Sequence, residues 1–493
     1  MSARSALLEQ IPQGRLFIGG EWTDSQSGKS FSTINPATGE TLGVVPLADA
    51  TDVDRAVRAA HEAQPAWAAT PGPERGERLR ALARALREHR EELARLDALN
   101  SGNVIAGMRR DVDWAAESLE YFAGIIPEIK GEVLPTDAST LSYTIREPFG
   151  VVAKINPYNH PIRFAAEKLA APLAAGNTVV VKPPEQAPLS SLVLGRLLQG
   201  TLPPGVVNIV TGDGPTTGAA LVRHPLVRRI ALIGSVEAGR AVMRAASDEL
   251  KMVTLELGGK NPLILFPDVE PGEAAEAAVG AMNLNRAGQS CSSTSRIFVH
   301  RRLHDAFVTA LLARVRSLRL GLPDVEDSQI GCLISKEQYE KVLTYIEAGK
   351  REGARLLFGG GAPEEPALQR GFFIRPTVFD GVRHEMKIAQ EEIFGPVMSI
   401  LTWEDEDEMV RQVNDVIYGL SAAIYTHDYA AAHRLARRIE AGYIWVNIPG
   451  GHALGSPYGG IKQSGIGREE CLDELLSYTQ VKSVRMRLDI TRI

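Results

Sequence analysis

A chain of 493 residues, 44% hydrophobic and 23% charged, is long enough for two or three domains and has an ordinary globular composition. Its net charge of −6 and its lack of Lys/Arg-rich runs exclude a nucleic-acid footprint, and no run reaches the roughly eighteen apolar residues of a membrane helix. The three cysteines, Cys291, Cys332 and Cys471, include no CxxC pair, so neither a disulfide framework nor a metal site is expected. Met1 to Arg15 carries polar and charged residues throughout and lacks the apolar core of a secretory signal, which makes the cytoplasm the expected compartment.

Residues 1–50 hold short strand-like runs such as Leu16-Phe17-Ile18-Gly19-Gly20 and a turn at Asn35-Pro36. From Asp52 to about Gly124 the pattern is helical, with Leu79, Leu82, Leu86 and Leu93 forming an apolar stripe. Glu132 to Leu134 and Ser142 to Ile145 read as extended. From Gly150 apolar strands alternate with helices: strands at Val151–Ile155, Thr178–Val181, Val206–Val210 and Arg229–Ile233, and helices at Ile162–Ala175 (closed by Gly176), Leu189–Leu198, Thr216–Arg223 and Ala238–Ala246. Such alternation predicts a doubly wound parallel sheet, buried on both faces, with a ligand crevice at the carboxyl ends of its strands. A second alternation begins at Pro262–Phe266, continues through helices Glu273–Leu284 and Leu303–Leu318, and ends at Tyr443–Val446, which predicts a second α/β domain.

Two stretches carry the chemistry. Glu256 ends the apolar run Met252–Leu255 and is followed by Leu257-Gly258-Gly259-Lys260, while Gly288-Gln289-Ser290-Cys291 presents a thiol on a Gly-bearing loop before the strand Arg296–Val299. A soft nucleophile beside a carboxylate that can take protons is a covalent-catalysis pair. Taken alone, such a cysteine is more often an inert buried residue. Other segments stand at strand ends: Asn156-Pro157-Tyr158-Asn159-His160-Pro161, Lys182-Pro183-Pro184-Glu185, the helix start Gly234-Ser235-Val236-Glu237-Ala238-Gly239, and Gln390-Glu391-Glu392-Ile393-Phe394-Gly395-Pro396.

From Asn35-Pro36-Ala37-Thr38-Gly39 to Tyr478-Thr479-Gln480-Val481-Lys482, these segments in this order resemble the aldehyde dehydrogenase superfamily. The resemblance is to its hydrolytic, NAD(P)-dependent branch and, within it, to bacterial members of betaine-aldehyde or aromatic-aldehyde type. It implies Cys291 as nucleophile, Glu256 as the base that hydrolyses a thioester, and Asn159 as the oxyanion-stabilising amide. The physics agrees, because an Asn NH₂ and the Cys291 N–H can both donate to an oxygen turning anionic. The resemblance implies a cofactor set of Ile155, Asn156, Tyr158, Lys182, Glu185, Gly234, Ser235, Gly239, Leu257, Glu392 and Phe394, with Val236 standing where a polar residue is usual. A carboxylate at Glu185 repels a 2′-phosphate, so NAD is expected; the family pattern admits NADP as well. Relatives that acylate coenzyme A lack a residue like Glu256, so a free acid is the expected product. No metal is needed.

The same alignment of motifs puts His160, Phe164, Glu167, His452 and Tyr458 on the wall of a substrate tunnel, with salt-bridged scaffold as the alternative role of Glu167 and His452. Glu469 is placed in proton transfer or in a structural role, and Asn447 and Gly467-Arg468 in structural roles. The implied fold is α/β, a doubly wound parallel-sheet cofactor domain (1–125 and 147–255) with a second α/β catalytic domain (256–477). A small β oligomerisation arm (126–146 and 478–493) completes it. Partners are a small-molecule aldehyde and further copies of the chain in a homodimer or homotetramer, with no nucleic acid and no membrane. Competing readings are a cofactor-free thiol hydrolase or esterase using Cys291 with His160 as base, a coenzyme A-acylating member, and a non-catalytic scaffold. The hydrolase would leave Lys182, Glu185, Glu392 and Phe394 without a purpose.

Overall fold

The computed structural model describes residues 11, 12 and 14–488; the expectations for the N-terminal ten residues and for 489–493 lie outside it. An eight-stranded sheet forms the first layer system. Its core strands, Val207–Ile209, Thr178–Lys182, Val151–Ile155, Val227–Ile233 and Met252–Glu256, lie side by side in that order and pair in parallel. In chain order this is third, second, first, fourth, fifth, so the winding reverses between Val151–Ile155 and Val227–Ile233 and opens a crevice at their carboxyl ends. On one side Arg15–Ile18 pairs antiparallel with Val207–Ile209 and carries the edge strand Glu21–Asp24, and on the other Gly465–Ile466 pairs antiparallel with Leu255 and Glu256. Nearly every residue of the three strands from 151 to 209 is buried, as parallel strands covered on both faces require.

The second sheet has seven strands, with Pro262–Leu265 and Arg296–His300 at its centre. Its helices obey simple patterning. In Arg301–Arg316 the buried residues are Leu303, Phe307, Leu311 and Val315, four apart throughout, and the helix lays this single stripe on the sheet. The predicted stripe Leu79, Leu82, Leu86 and Leu93 is likewise wholly buried, although it spans two helices, Gly72–Glu88 and Arg90–Ser101. A third, three-stranded sheet joins Val133–Leu134, Thr140–Pro148 and Thr479–Arg487, and it leaves Val133, Val481 and Met486 exposed. No helix among the described residues is long and apolar enough to cross a membrane.

Three predicted helices differ in detail. Ile162–Ala175 is two short helices, Pro161–Glu167 and Ala170–Ala174, because Pro172 has no N–H for the Lys168 carbonyl. Thr216–Arg223 begins as a wide turn in which Gly218 N–H donates to the Asp213 carbonyl at 3.0 Å, and becomes helix only over Ala219–Arg223. Glu273–Leu284 is shortened to Pro271–Ala281; Asn283 and Ala287, in the left-handed region at φ 54° and 49°, turn the chain toward Cys291.

Candidate active site

Residues 257–261 carry the chain from the first sheet to the second, and the reactive groups gather there. Glu256 ends its strand with its carbonyl accepting from Gly234 N–H at 3.0 Å, and Leu257 N–H donates to the Ser464 carbonyl at 2.9 Å. Gly259 passes so close to the cysteine loop that a Cβ on it would stand 2.5 Å from the Cys291 carbonyl oxygen. That carbonyl accepts from Asn261 Nδ2 at 2.7 Å, as does the Ser293 carbonyl at 3.0 Å. Gln289 fastens the other side of the loop, its Oε1 accepting from Ile334 N–H at 3.1 Å. Gly288 has φ 73°, and a Cβ there would lie 2.3 Å from the Gly395 carbonyl oxygen. The thiol is therefore aimed by backbone held on several sides.

Both groups sit where their charged forms are disfavoured. Burial, then the charges of Glu392 and Glu256, push the Cys291 thiol up to about 12, against a hydrogen bond with Tyr458. Burial also raises Glu256 well above the usual carboxylate range; Glu469 adds to this and Lys168 opposes it. Glu256 Oε1 is buried and has no partner among the described residues. Asn159 is buried in the loop after Val151–Ile155, held by Asn103 Nδ2 donating to its backbone carbonyl at 3.0 Å. Its side-chain Oδ1 is buried with no partner among the described residues, and the Nδ2 of the same amide is the donor that could meet an oxyanion.

Two hollows meet at these residues. The larger, about 540 Å³, is lined by Trp114, His160, Phe164, His452 and Tyr458 together with Arg110, Arg163 and Glu469. The smaller, about 220 Å³, is lined by Tyr158, Asn159, Gly234, Ser235, Leu257, Gly258, Glu392 and Phe394. Ile233, Glu256 and Cys291 border both. Glu392 accepts from Gly259 N–H at 3.0 Å, and Phe394, at φ 57°, sets its ring edge-on to Tyr158 with centroids 5.9 Å apart. Ser235 caps the helix Val236–Ser247, its hydroxyl accepting from Ala238 N–H at 3.1 Å.

The rest of the expected cofactor set lies off the smaller hollow. Ile155 ends the first parallel strand and Asn156 follows it, its Nδ2 buried with no partner among the described residues. Lys182 ends the second and donates to Glu185 Oε2 at 3.1 Å. Gly239 borders neither hollow but packs on Leu257, whose side chain lies 2.6 Å from where a Cβ would stand. Its service is helix–strand packing.

Glu167 must be corrected, because it is not on the cavity wall. It is buried behind it, accepting from Arg163 Nε at 2.7 Å and Lys168 Nζ at 2.8 Å. These two cations hold its carboxyl down to about 2 against burial. Arg163 and Lys168, which sequence reasoning missed, take the wall instead; the Arg163/Glu167 spacing of four on a helix was the available signal. Arg163 continues to Glu470 at 3.1 Å, and Lys168 to Glu469 at 2.8 Å. His452 stays on the wall, stacked on Tyr458 with centroids 4.0 Å apart and bonded through Nδ1 to Glu470 at 2.8 Å. His160 is bonded through Nδ1 to Asp111 at 2.9 Å. Burial and the Arg286 charge press the His160 ring down to about 4, so it is neutral at pH 7. Asn447 is structural: its amide closes both hydrogen bonds with the Thr426 backbone at 3.0 Å.

Comparison with known proteins agrees with this arrangement. The profile of the aldehyde dehydrogenase family matches residues 22–484. The chain is 48% identical over 480 residues to aldehyde dehydrogenase tropH of Talaromyces stipitatus, covering 96% of this chain and 93% of that one. Among solved structures, the NAD+ complex of aldehyde dehydrogenase from Bacillus cereus superimposes with a TM-score of 0.95 at 40% identity over 99% of each chain. Betaine aldehyde dehydrogenase from Staphylococcus aureus in complex with NAD+ gives 0.96 at 34% identity over 100% of this chain and 98% of that one. With a match running through both sheets and the crossing between them, the chain belongs to the aldehyde dehydrogenase family.

Proposed function

We propose that this enzyme oxidises an aldehyde to the free carboxylic acid with NAD, using Cys291 as nucleophile, Asn159 and the Cys291 N–H as oxyanion donors, and Glu256 as the hydrolytic base. The observation that carries this reading is that Cys291 and Glu256 border both hollows, so an aldehyde in the larger one and a cofactor in the smaller one would meet at the thiol. As Cys291 Sγ adds to the carbonyl carbon its proton passes to the Glu256 carboxylate, and the oxygen takes up charge toward the Asn159 amide, where preorganised donors matter most. When bound, NAD supplies the hydride acceptor that converts the thiohemiacetal to a thioester. Once Glu256 has released that proton to solvent, it takes one from the water that adds to the thioester carbonyl and returns it to the departing Cys291 sulfur as the acid is freed.

The chain fits this cofactor. Lys182 and Glu185 would hold the adenosine ribose, and Gly234 and Ser235, at the start of a twelve-residue helix, the pyrophosphate. Glu392 would hold the nicotinamide ribose with Phe394 beside the ring, while Ile155, Asn156, Tyr158 and Leu257 surround them. At Gly258 a Cβ would come within 2.3 Å of the Glu392 carboxylate, so a side chain there would push that carboxylate from its place beside Gly259 N–H. Glu469, joined to Lys168 and raising Glu256, is the route by which the Glu256 proton would reach solvent. The exposed apolar residues of the arm fit a homodimer or homotetramer, and sedimentation should find no monomer at micromolar concentration.

The test is NADH formation without coenzyme A. Cys291→Ala should lose turnover by at least about 10⁴-fold while still binding NAD by calorimetry. Glu256→Gln should give one rapid equivalent of NADH and then a steady state slowed at least about a hundredfold. Full-speed steady-state turnover in either variant would sink the assignment.

A further inference from the structure

At the open rim of the larger cavity, two guanidinium groups converge on one neutral amide. The Asn285 amide faces both guanidiniums and, turned so that Oδ1 meets them, accepts from Arg110 Nη2 at 3.0 Å and from Arg286 Nη1 at 2.9 Å, the orientation in which both donors are satisfied. Arg286 is buried and balanced by Asp111, to which its Nη2 donates at 2.5 Å. Asp111 is already committed a second time, to His160 Nδ1 at 2.9 Å, and the His160 ring is neutral. Arg110 forms no ion pair among the described residues and is exposed on the cavity side of the helix Ile105–Ile125. This rim therefore sets two permanent cations against one carboxylate, and Arg110 keeps N–H donors to spare. At the other end, Arg163 and Lys168 are matched by Glu167, Glu469 and Glu470, so the surplus positive charge is confined to the rim.

The aromatic wall points the same way by exclusion. A quaternary ammonium would need an open aromatic face. Each ring already has an occupant: the Arg163 guanidinium stands 4.9 Å from the Trp114 centroid and 5.7 Å from that of Phe164, and His452 stacks on Tyr458 at 4.0 Å. The same guanidinium is pinned by Glu167 and Glu470, so it cannot be displaced cheaply.

We infer that the Arg110–Asn285–Arg286 rim receives a carboxylate, and that the aldehydes oxidised here carry one at the end remote from the aldehyde group. This rests on the dehydrogenase reading above. Asp111 and Arg286 hold the rim in shape; Arg110 is the specificity-determining residue that touches the substrate. A guanidinium–carboxylate contact adds a charge-assisted hydrogen bond that a neutral isostere lacks, which corresponds to about tenfold to a hundredfold in affinity.

The test compares four aldehydes of one chain length, ending in carboxylate, methyl ester, primary amide and trimethylammonium, on wild type, Arg110→Gln and Arg110→Lys. Wild type should favour the carboxylate over the ester at least about tenfold in kcat/KM, through KM, with the trimethylammonium compound the poorest. Arg110→Gln should raise KM for the carboxylate by the same factor, leaving kcat and the ester kinetics within about twofold, and Arg110→Lys should restore much of the preference. Equal use of acid and ester by wild type, or an equal loss on both in Arg110→Gln, overturns the inference. If no aldehyde is oxidised at all, the dehydrogenase reading falls, and calorimetric titration with an unreactive dicarboxylate of that length judges the rim by itself. Binding to wild type that is lost in Arg110→Gln upholds the carboxylate site, and absence of binding to wild type overturns it.

Discussion

Glu256 and Cys291 share a difficulty that decides how the enzyme should respond to pH. Glu256 is buried and Cys291 half-buried, and the charged form of each is disfavoured, the carboxyl lying well above its ordinary range and the thiol at about 12. A protonated Glu256 cannot take a proton from water, so hydrolysis should accelerate as pH rises through its elevated value and fall away on the acid side. In Glu256→Gln this limb should vanish from the pH profile of kcat, and a variant that kept the wild-type slope would assign the limb to another group. Arg163 teaches a related lesson. Its Glu167 pair is legible as a spacing of four along the chain, yet only the fold shows that the cation, and not the carboxylate, lines the cavity.

The cysteine loop shows how elements impose that chemistry. The run Gly258-Gly259 reads in sequence as flexible backbone, but in the fold its role is lateral: the Cys291 carbonyl sits where a Gly259 side chain would be. Gly259→Ala should therefore displace the loop. We expect a loss of at least about a hundredfold in kcat, because misplacing a nucleophile by an ångström forfeits that much, with a smaller effect on NAD affinity. A crystal structure or stopped-flow measurement finding the thiol equally reactive would remove this explanation. The broken helix at Lys168 belongs to the same scale. Pro172 was visible in the sequence, and its missing N–H is a local fact that a periodicity reading of Ile162–Ala175 passes over.

Across the whole molecule, a buried ionic network of Arg163, Glu167, Lys168, Glu469 and Glu470 ties the first sheet's helices to the returning C-terminal segment. Glu167 is held at about 2 in the folded chain against an ordinary 4.5. Its contribution to stability is therefore complete above about pH 4.5 and is lost as pH falls toward 2. Glu167→Gln would remove the carboxylate that Arg163 and Lys168 share, leaving Arg163 with Glu470 and Lys168 with Glu469 alone, and should destabilise the fold by about 3 kcal/mol at pH 7. The gap in Tm between wild type and variant should narrow as pH drops from 4.5 toward 2, and a gap independent of pH would mean the loss is packing alone.

The sequence by itself determined the α/β class, the two alternating sheets, the strand-end position of Glu256 and the loop position of Cys291. Apolar periodicity, glycine placement and the order of motifs are local properties written along the chain. Tertiary structure alone decided which groups face one another. Gly465–Ile466 returns from the far end of the chain to pair with Leu255 and Glu256, bringing Glu469 and Glu470 to the catalytic cavity. Arg110, Asn285 and Arg286 meet at one rim from two separate segments. Such encounters depend on strand order and helix packing, and no spacing in the sequence encodes the distance between residues that far apart along the chain.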